Sequence, residues 1–354
     1  MQITKTEVTP VELSLRQPVR MAGLAEIDRV MVFFVRMETN KGMNAWGCGV
    51  AHPDLTGEQP GAALKACQAC ADKALDLHPT HIEYSLGELN PLTKDSPAAH
   101  CAFDLAFHDL IGLVSGMPLY RLLGGYRNRI MTSATVPVSS VAESVELAAD
   151  RARQGFRILK VKGGIDPVAD VERVRAIHRT LPFHTLRLDA DCGYSSQQAI
   201  DVARALETEL EFLEQPTAAD DREGLRQVTK NSPVPVLADQ SMSDPASALE
   251  LASQKAASGL SVKMATCGGI RCAQQIDAIA RAAQLATMVG CVIEPALLIS
   301  AGLSFALSSP NVRYGDLDGN LDLVDDPTQT GFVLEDGWLE ASDMPGLGCT
   351  VNLS

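Results

Sequence analysis

The chain has 354 residues, 46% hydrophobic and 21% charged, so it can bury a large core, and disorder, collagen and coiled coil are excluded as its main state. Thirty Lys and Arg stand against 44 Asp and Glu, a net charge of −14 with no compensating basic block, which disfavours nucleic acid or any other polyanion as a partner. The length suits two domains, or one large α/β barrel with an appendage.

Residues 1–38 are predicted mostly as strands, with Ile3, Thr6 and Val8 leading to a turn at Pro10 and a longer β-prone run from Val30 to Glu38. A loop with several glycines is expected from Asn40 to Gly49, then helices over 59–75 and 95–112, where Ala, Leu and Phe fall at helical spacing. The β-like start carries no secretory signal, and no apolar run reaches the roughly 18 residues of a membrane span. Nine scattered cysteines fit a reducing cytoplasm. The one CxxC, Cys67 to Cys70, is expected to be the buried face of a helix, because zinc would need a second ligand pair nearby.

From about residue 130 the rhythm changes. Short β-prone runs recur at 131–136, 156–161, 185–190, 210–213, 234–238, 260–264, 289–293 and 311–315, with helical segments such as 140–153, 168–179, 196–208 and 270–285 between them. Eight such runs predict right-handed βα crossovers and a closed parallel barrel. An open doubly wound sheet is the alternative, weakened by the absence of GxGxxG after a first strand. The tail, 321–354, lacks this rhythm and is expected to pack back on the N-terminal part.

Charged residues stand where these apolar runs end. Lys160 and Lys162 end the second run, Asp189 the third, Glu214 the fourth, Asp239 the fifth, Lys263 the sixth, Glu294 the seventh, and Asp316 and Asp318 the eighth. The C-terminal mouth of a barrel is where such side chains converge. Asp189, Glu214 and Asp239 are spaced 25 residues apart, one βα unit per step, so they fall on adjacent strands. Three clustered carboxylates call for a cation, and hard oxygen ligands favour Mg²⁺, with Mn²⁺ able to substitute.

Lys162 precedes this cluster by one strand and Lys263 follows it by one, so a closed barrel puts them on opposite sides. Lys160 shares a side of its strand with Lys162 and can support it. A proton α to a carboxylate is weakly acidic, and its removal leaves an enediolate that a metal at the carboxylate stabilises. A base on one face and an acid on the other would invert the centre, a 1,1-proton transfer.

These residues resemble the enolase superfamily, in its muconate-lactonizing-enzyme-like subgroup. The stretch Phe103 to Leu110, Gly116-Met117-Pro118-Leu119-Tyr120 and Leu122-Leu123-Gly124-Gly125 resembles the family's cap-to-barrel junction, and Gly268-Gly269-Ile270 follows Lys263 as expected. The resemblance covers nearly the whole chain. It implies an α/β fold: a modified (β/α)₇β TIM-like barrel over 126–320, an α+β capping domain over 1–125, and a C-terminal segment, 321–354, that completes the cap. It implies Asp189, Glu214 and Asp239 as Mg²⁺ ligands and Lys162 and Lys263 as the two bases. Such proteins are often homo-oligomers, and one is expected here.

Asp316-Leu317-Asp318 resembles the Asp-x-Asp signature of dipeptide epimerases of the L-Ala-D/L-Glu type, in which the pair binds the substrate's free ammonium group. A small-molecule carboxylate, specifically a dipeptide, is therefore the expected substrate. N-acylamino-acid racemase, o-succinylbenzoate synthase, muconate cycloisomerase and proline-derivative epimerase or dehydratase share the lysine arrangement and stand as alternatives. A non-enzymatic barrel would lack a ligand or a lysine, and none is missing. Departures from the family pattern are Asp191 where Asn is usual, Gln240 where Glu is usual, and Pro295 where Ser is usual after Glu294. Cap loops 18–23, with Arg20, and 42–49, with Trp46, are expected to close over the substrate. Thr135 and Glu294 are further candidate contacts.

Overall fold

A computed structural model describes residues 1–353. The N-terminal part is an antiparallel sheet of Ile3–Val19, Ile27–Thr39 and Asn44–Ala51, backed by helices Pro60–Ala74, Ile82–Thr93 and Pro97–Ser115. The strand from Ile3 runs straight through Pro10 instead of turning there. Pro10 pairs with Phe33 on one side, while on the other side the only strand among the described residues, Leu323–Val324, pairs no nearer than Ser14. Pro10 is thus on an effective edge, where its missing N–H costs no ladder bond.

The expected glycine loop is strand from Asn44 onward, and its glycines serve packing. A Cβ at Gly47 would fall 2.0 Å from the Ala102 carbonyl oxygen, and one at Gly49 1.9 Å from that of Ala98. Helix Pro97–Ser115 therefore lies directly on this strand, and burial extends over nearly its whole length, from Ala98 to Gly112. Cys67 and Cys70 are on the buried face of their helix, and all nine cysteines are free.

Eight parallel strands follow: Ser133–Val136, Ile158–Lys162, Thr185–Asp189, Leu210–Glu214, Val236–Ala238, Gly259–Lys263, Ala286–Gly290 and Val312–Gly315. Each neighbours the next in sequence, and a bridge between Thr132 and Gly315 joins the first to the eighth, closing the barrel. This consecutive order and closure rule out the open doubly wound sheet, and the seven helices of ten or more residues surround the barrel, as in Val141–Arg153, Pro167–Thr180 and Ile270–Ala282. The seventh strand ends at Gly290, three residues before the predicted run does, and Glu294 follows in a loop before helix Ala296–Ser308.

The tail contacts both parts. Leu323–Val324 joins the N-terminal sheet, Leu347 donates its N–H to Asp109 at 2.7 Å, and Trp338–Ala341 pairs with Arg129–Met131 where the chain enters the barrel. No helix among the described residues is long and apolar enough to cross a membrane.

Candidate active site

Parallel register brings the strand-end charges to one level. Lys162 is aligned with Asp189, Asp189 with Glu214, and Glu214 with Leu237, two residues before Asp239. Asp189 and Glu214 are fully buried and Asp239 is 4% exposed. The loop carrying Asp239 is fixed by the side chain of Gln215, whose Oε1 accepts the Asp239 N–H at 2.8 Å and the Ser241 N–H at 3.1 Å. Gln215, Asp191 and Cys192 all have positive φ, so the backbone is strained where the third and fourth strands end.

The lysines reach this cluster from opposite sides. Lys162 Nζ donates to Asp189 at 2.8 Å and to both oxygens of Asp191 at 3.0 and 2.9 Å. Lys263 Nζ donates to Asp239 at 2.5 Å. Gly290, on the neighbouring strand, leaves room for the lysine stem: a Cβ there would lie 3.2 Å from Lys263 Cε. Burial alone would lower both ammonium pKa values, but the carboxylates outweigh it and raise both, Asp189 and Asp191 acting on Lys162 and Asp239 and Glu214 on Lys263. Burial likewise opposes ionisation of Asp189, and Lys162, Lys160 and Lys263 overcome it and hold its carboxyl well below the usual range.

Glu214 is the exception. Both its carboxylate oxygens are buried without any hydrogen-bond partner, and burial, followed by the charge of Asp189, pushes its pKa well above the ordinary value. Among the described residues no three such side chains already stand in metal-binding geometry, since lysine ammonium groups pair with Asp189 and Asp239. An orphaned buried carboxylate between two lysine-paired ones is nevertheless a donor set that fits a hard divalent cation, which would satisfy Glu214 as no group among the described residues does.

The Asp-x-Asp pair divides. Asp316 is fully buried; it accepts the Ser133 hydroxyl at 2.6 Å and forms an ion pair with Lys160. Asp318 accepts the Thr135 N–H at 2.6 Å, and both Asp318 and Thr135 line a cavity of about 90 Å³ at the mouth. The cavity adjoins a larger one of about 340 Å³, lined by Lys162, Lys263, Asp191, Gln240 and the cap residues Met21, Leu24 and Leu55. A bigger cavity of about 710 Å³ lies between the cap helix Ile82–Thr93 and the barrel helix Ile270–Ala282, but none of these charged residues lines it, so the chemistry belongs to the mouth.

Two expected contacts are elsewhere. Arg20 is exposed and lines neither mouth cavity, which its neighbours Met21 to Leu24 do. Trp46 is a strand residue of the cap sheet, its N–H donated to Asp109 at 2.8 Å and its ring 5.8 Å from the Arg36 guanidinium carbon. The second cap loop at the mouth is instead 52–59, with Leu55. Glu294 is buried below the mouth surface, accepts the Val292 N–H at 3.2 Å, and is pushed up to about 8 by burial. Ser133 was not anticipated; it lies two residues before Thr135, so the period-two alternation of the first strand points to it.

Residues 3–124 match the mandelate racemase / muconate lactonizing enzyme N-terminal domain, and residues 143–354 match the enolase C-terminal domain-like family. The chain belongs to the enolase superfamily. Within it, the chain falls in the muconate-lactonizing-enzyme-like subgroup, close to dipeptide epimerases. It is 35% identical to an L-Lys-D/L-Arg epimerase from Methylococcus capsulatus, over 98% of this chain and 99% of that protein. The structure of a dipeptide epimerase from Enterococcus faecalis, complexed with Mg and the dipeptide L-Leu-L-Tyr, superposes with a TM-score of 0.95 at 31% identity, covering 99% of this chain and all of that one (100%). The substrate-liganded L-Ala-D/L-Glu epimerase of Bacillus subtilis gives 0.96 at 30% identity, with 100% of both chains covered.

Proposed function

We propose that this enolase-superfamily isomerase is a Mg²⁺-dependent dipeptide epimerase that inverts the α-carbon next to the C-terminal carboxylate. The observation that carries this reading is the pair of buried lysines on opposite sides of three carboxylates at adjacent strand ends, one of which has no hydrogen-bond partner among the described residues. The similarity to epimerases solved with Mg and a dipeptide supports it.

In this reading Asp189, Glu214 and Asp239 hold the cation. When bound, Mg²⁺ offsets the negative charge that the substrate carboxylate gains as the α-proton leaves. The chain's own residues do the rest. The neutral amine of Lys162 or Lys263 takes the proton from one face, and the other lysine, as an ammonium, returns one to the opposite face. Asp318, beside Thr135, receives the free ammonium group of the substrate, while Asp316 acts one step back by fixing Lys160 and Ser133. The apolar residues Met21, Leu24 and Leu55 cover the reacting centre and exclude water. The units 1–125, 126–320 and 321–354 are proposed as cap, catalytic barrel and returning segment. The substrate is a small molecule; a cytoplasmic location, which the nine free cysteines suit, and a homo-oligomeric state are proposed with it.

The test is NMR of dipeptides in deuterated water. Inversion with incorporation of deuterium at the C-terminal α-carbon, abolished by chelation and restored by Mg²⁺, is expected. Exchange without inversion, or turnover of N-acetylated dipeptides in preference to free ones, would reject it.

A further inference from the structure

The two lysines differ in what holds them. Lys162 engages Asp189 and also both oxygens of Asp191, whereas Lys263 has a single ion-pair partner among the described residues, Asp239. Asp189 and Asp239 are both candidate metal carboxylates. Asp191 is not in that aligned set; it follows the end of its strand by two residues, in the left-handed region at φ 41°.

Asp191 is itself held. Gln240 Nε2 donates to its Oδ1 at 3.2 Å, and its own N–H donates to Asp189 Oδ1 at 3.1 Å. The adjoining Cys192 is also left-handed, at φ 68°, and the Asp191 carboxylate reaches Lys162 on the second strand. Asn at this position would tolerate the same backbone conformation. It offers one acceptor oxygen and no charge, where Asp191 offers two oxygens to one ammonium. Gln240 supplies a donor to Asp191, where a Glu would repel it.

Resting on the two-base reading above, we propose that Asp191 is a positioning residue for Lys162: a tether, braced by Gln240, that keeps this base in place once Asp189 is committed to a cation. Lys263 has no such second holder. One base is fixed and the other is released into the cavity, so the two faces of the substrate α-carbon are served unequally.

The experiment follows α-proton exchange in deuterated water, with Mg²⁺, for both C-terminal epimers of a dipeptide. The K162A and K263A variants assign each epimer to the lysine that serves it. Asp191→Asn is expected to slow exchange at the Lys162 face by about 10- to 100-fold, the cost of a misplaced catalytic group, and to leave the Lys263 face within about twofold. Q240L, which touches Asp191 but not Lys162, should act on the same face more weakly and covers the case of a misfolded Asp191 variant. A second readout needs no metal: reductive methylation mapped by mass spectrometry should label Lys162 several-fold faster in D191N, with Lys263 unchanged. Equal losses at both faces, or no loss with unchanged labelling, would overturn the tether while leaving two-base catalysis intact. Failure of the unaltered protein to exchange either epimer would overturn both.

Discussion

Lys160 and Asp316 form a buried ion pair that links the second barrel strand to the residue just past the eighth. Asp316 is therefore committed inside the barrel, and Asp318, two residues on, is the acid at the cavity wall. Asp316→Asn would leave Lys160 buried with one remaining ion pair among the described residues, to Asp189 at 3.5 Å. Breaking a buried pair from one side costs about 3–5 kcal/mol, and urea denaturation in the presence of chelator should show a loss of that order. D318N should cost less stability and act on selectivity instead. A charge-assisted contact to the substrate ammonium is worth about 1.5–3 kcal/mol, so the kcat/KM preference for a dipeptide over its N-acetyl form should fall by about 10- to 150-fold. An unchanged preference would move the ammonium site away from Asp318.

The barrel was legible because each strand is a short apolar run closed by a charge, and that charge marks the strand end almost to the residue. Asp189, Glu214 and Lys263 are the last residues of their strands. The seventh strand was misjudged because Cys291-Val292-Ile293 prolongs the apolar run into a buried loop, where burial and not pairing keeps it apolar. Trp46 was misplaced because glycines read as loop formers. Gly47 and Gly49 are there to admit helix Pro97–Ser115, a tertiary reason that local pattern does not carry. Likewise, nothing local separates Asp316 from Asp318; which acid faces the barrel depends on Lys160, 156 residues away in the chain.

Glu214 makes metal dependence testable through stability. Its oxygens lack partners, so replacing it by Gln removes a buried acid that the metal-free fold accommodates poorly. The E214Q protein should be as stable as the parent, or more so, in chelator. With Mg²⁺ the order should reverse. The parent gains about 2.7 kcal/mol at a metal concentration 100 times Kd, and the variant should lose most of that gain. Thermal denaturation with and without Mg²⁺ reads both effects. An equal Mg²⁺-induced rise in the two proteins would show that Glu214 is not a ligand.

Asp109 gives a pH dependence remote from the catalytic residues. It is buried, accepts N–H groups from Trp46 and Leu347, and ties the cap sheet to the tail. Burial, only partly offset by those two bonds, raises its carboxyl from 3.8 to about 7. Between these values the folded protein holds a proton that the unfolded chain has released. The contribution is present in full below the unfolded pKa and is lost as pH rises through the folded one. The stability difference between the parent and D109N should thus decline from about pH 4 to pH 7, with a slope of up to about 1.4 kcal/mol per pH unit, and level off above. A difference that stays flat over this window would show that Asp109 is ionised in the fold.

The last prediction concerns the direction of proton transfer. Both lysines are held protonated by carboxylates that outweigh burial. With Asp189 and Asp239 holding a cation, as proposed, that support would weaken and desolvation would remain, which disfavours the ammonium form. One amine can then lose its proton while the other keeps it, and the roles swap with the configuration of the substrate. In deuterated water the inverted product should carry deuterium at its α-carbon, because its new hydrogen comes from a lysine that has equilibrated with solvent. Lys162→Ala and Lys263→Ala should each abolish inversion, since both directions need both residues. Each variant should still exchange the α-proton of the one epimer that faces the surviving lysine, and the two variants should retain opposite epimers. Exchange of the same epimer by both would place the lysines on one face of the substrate. Inversion by either variant at close to the parent rate would mean that a second base other than these lysines completes the reaction.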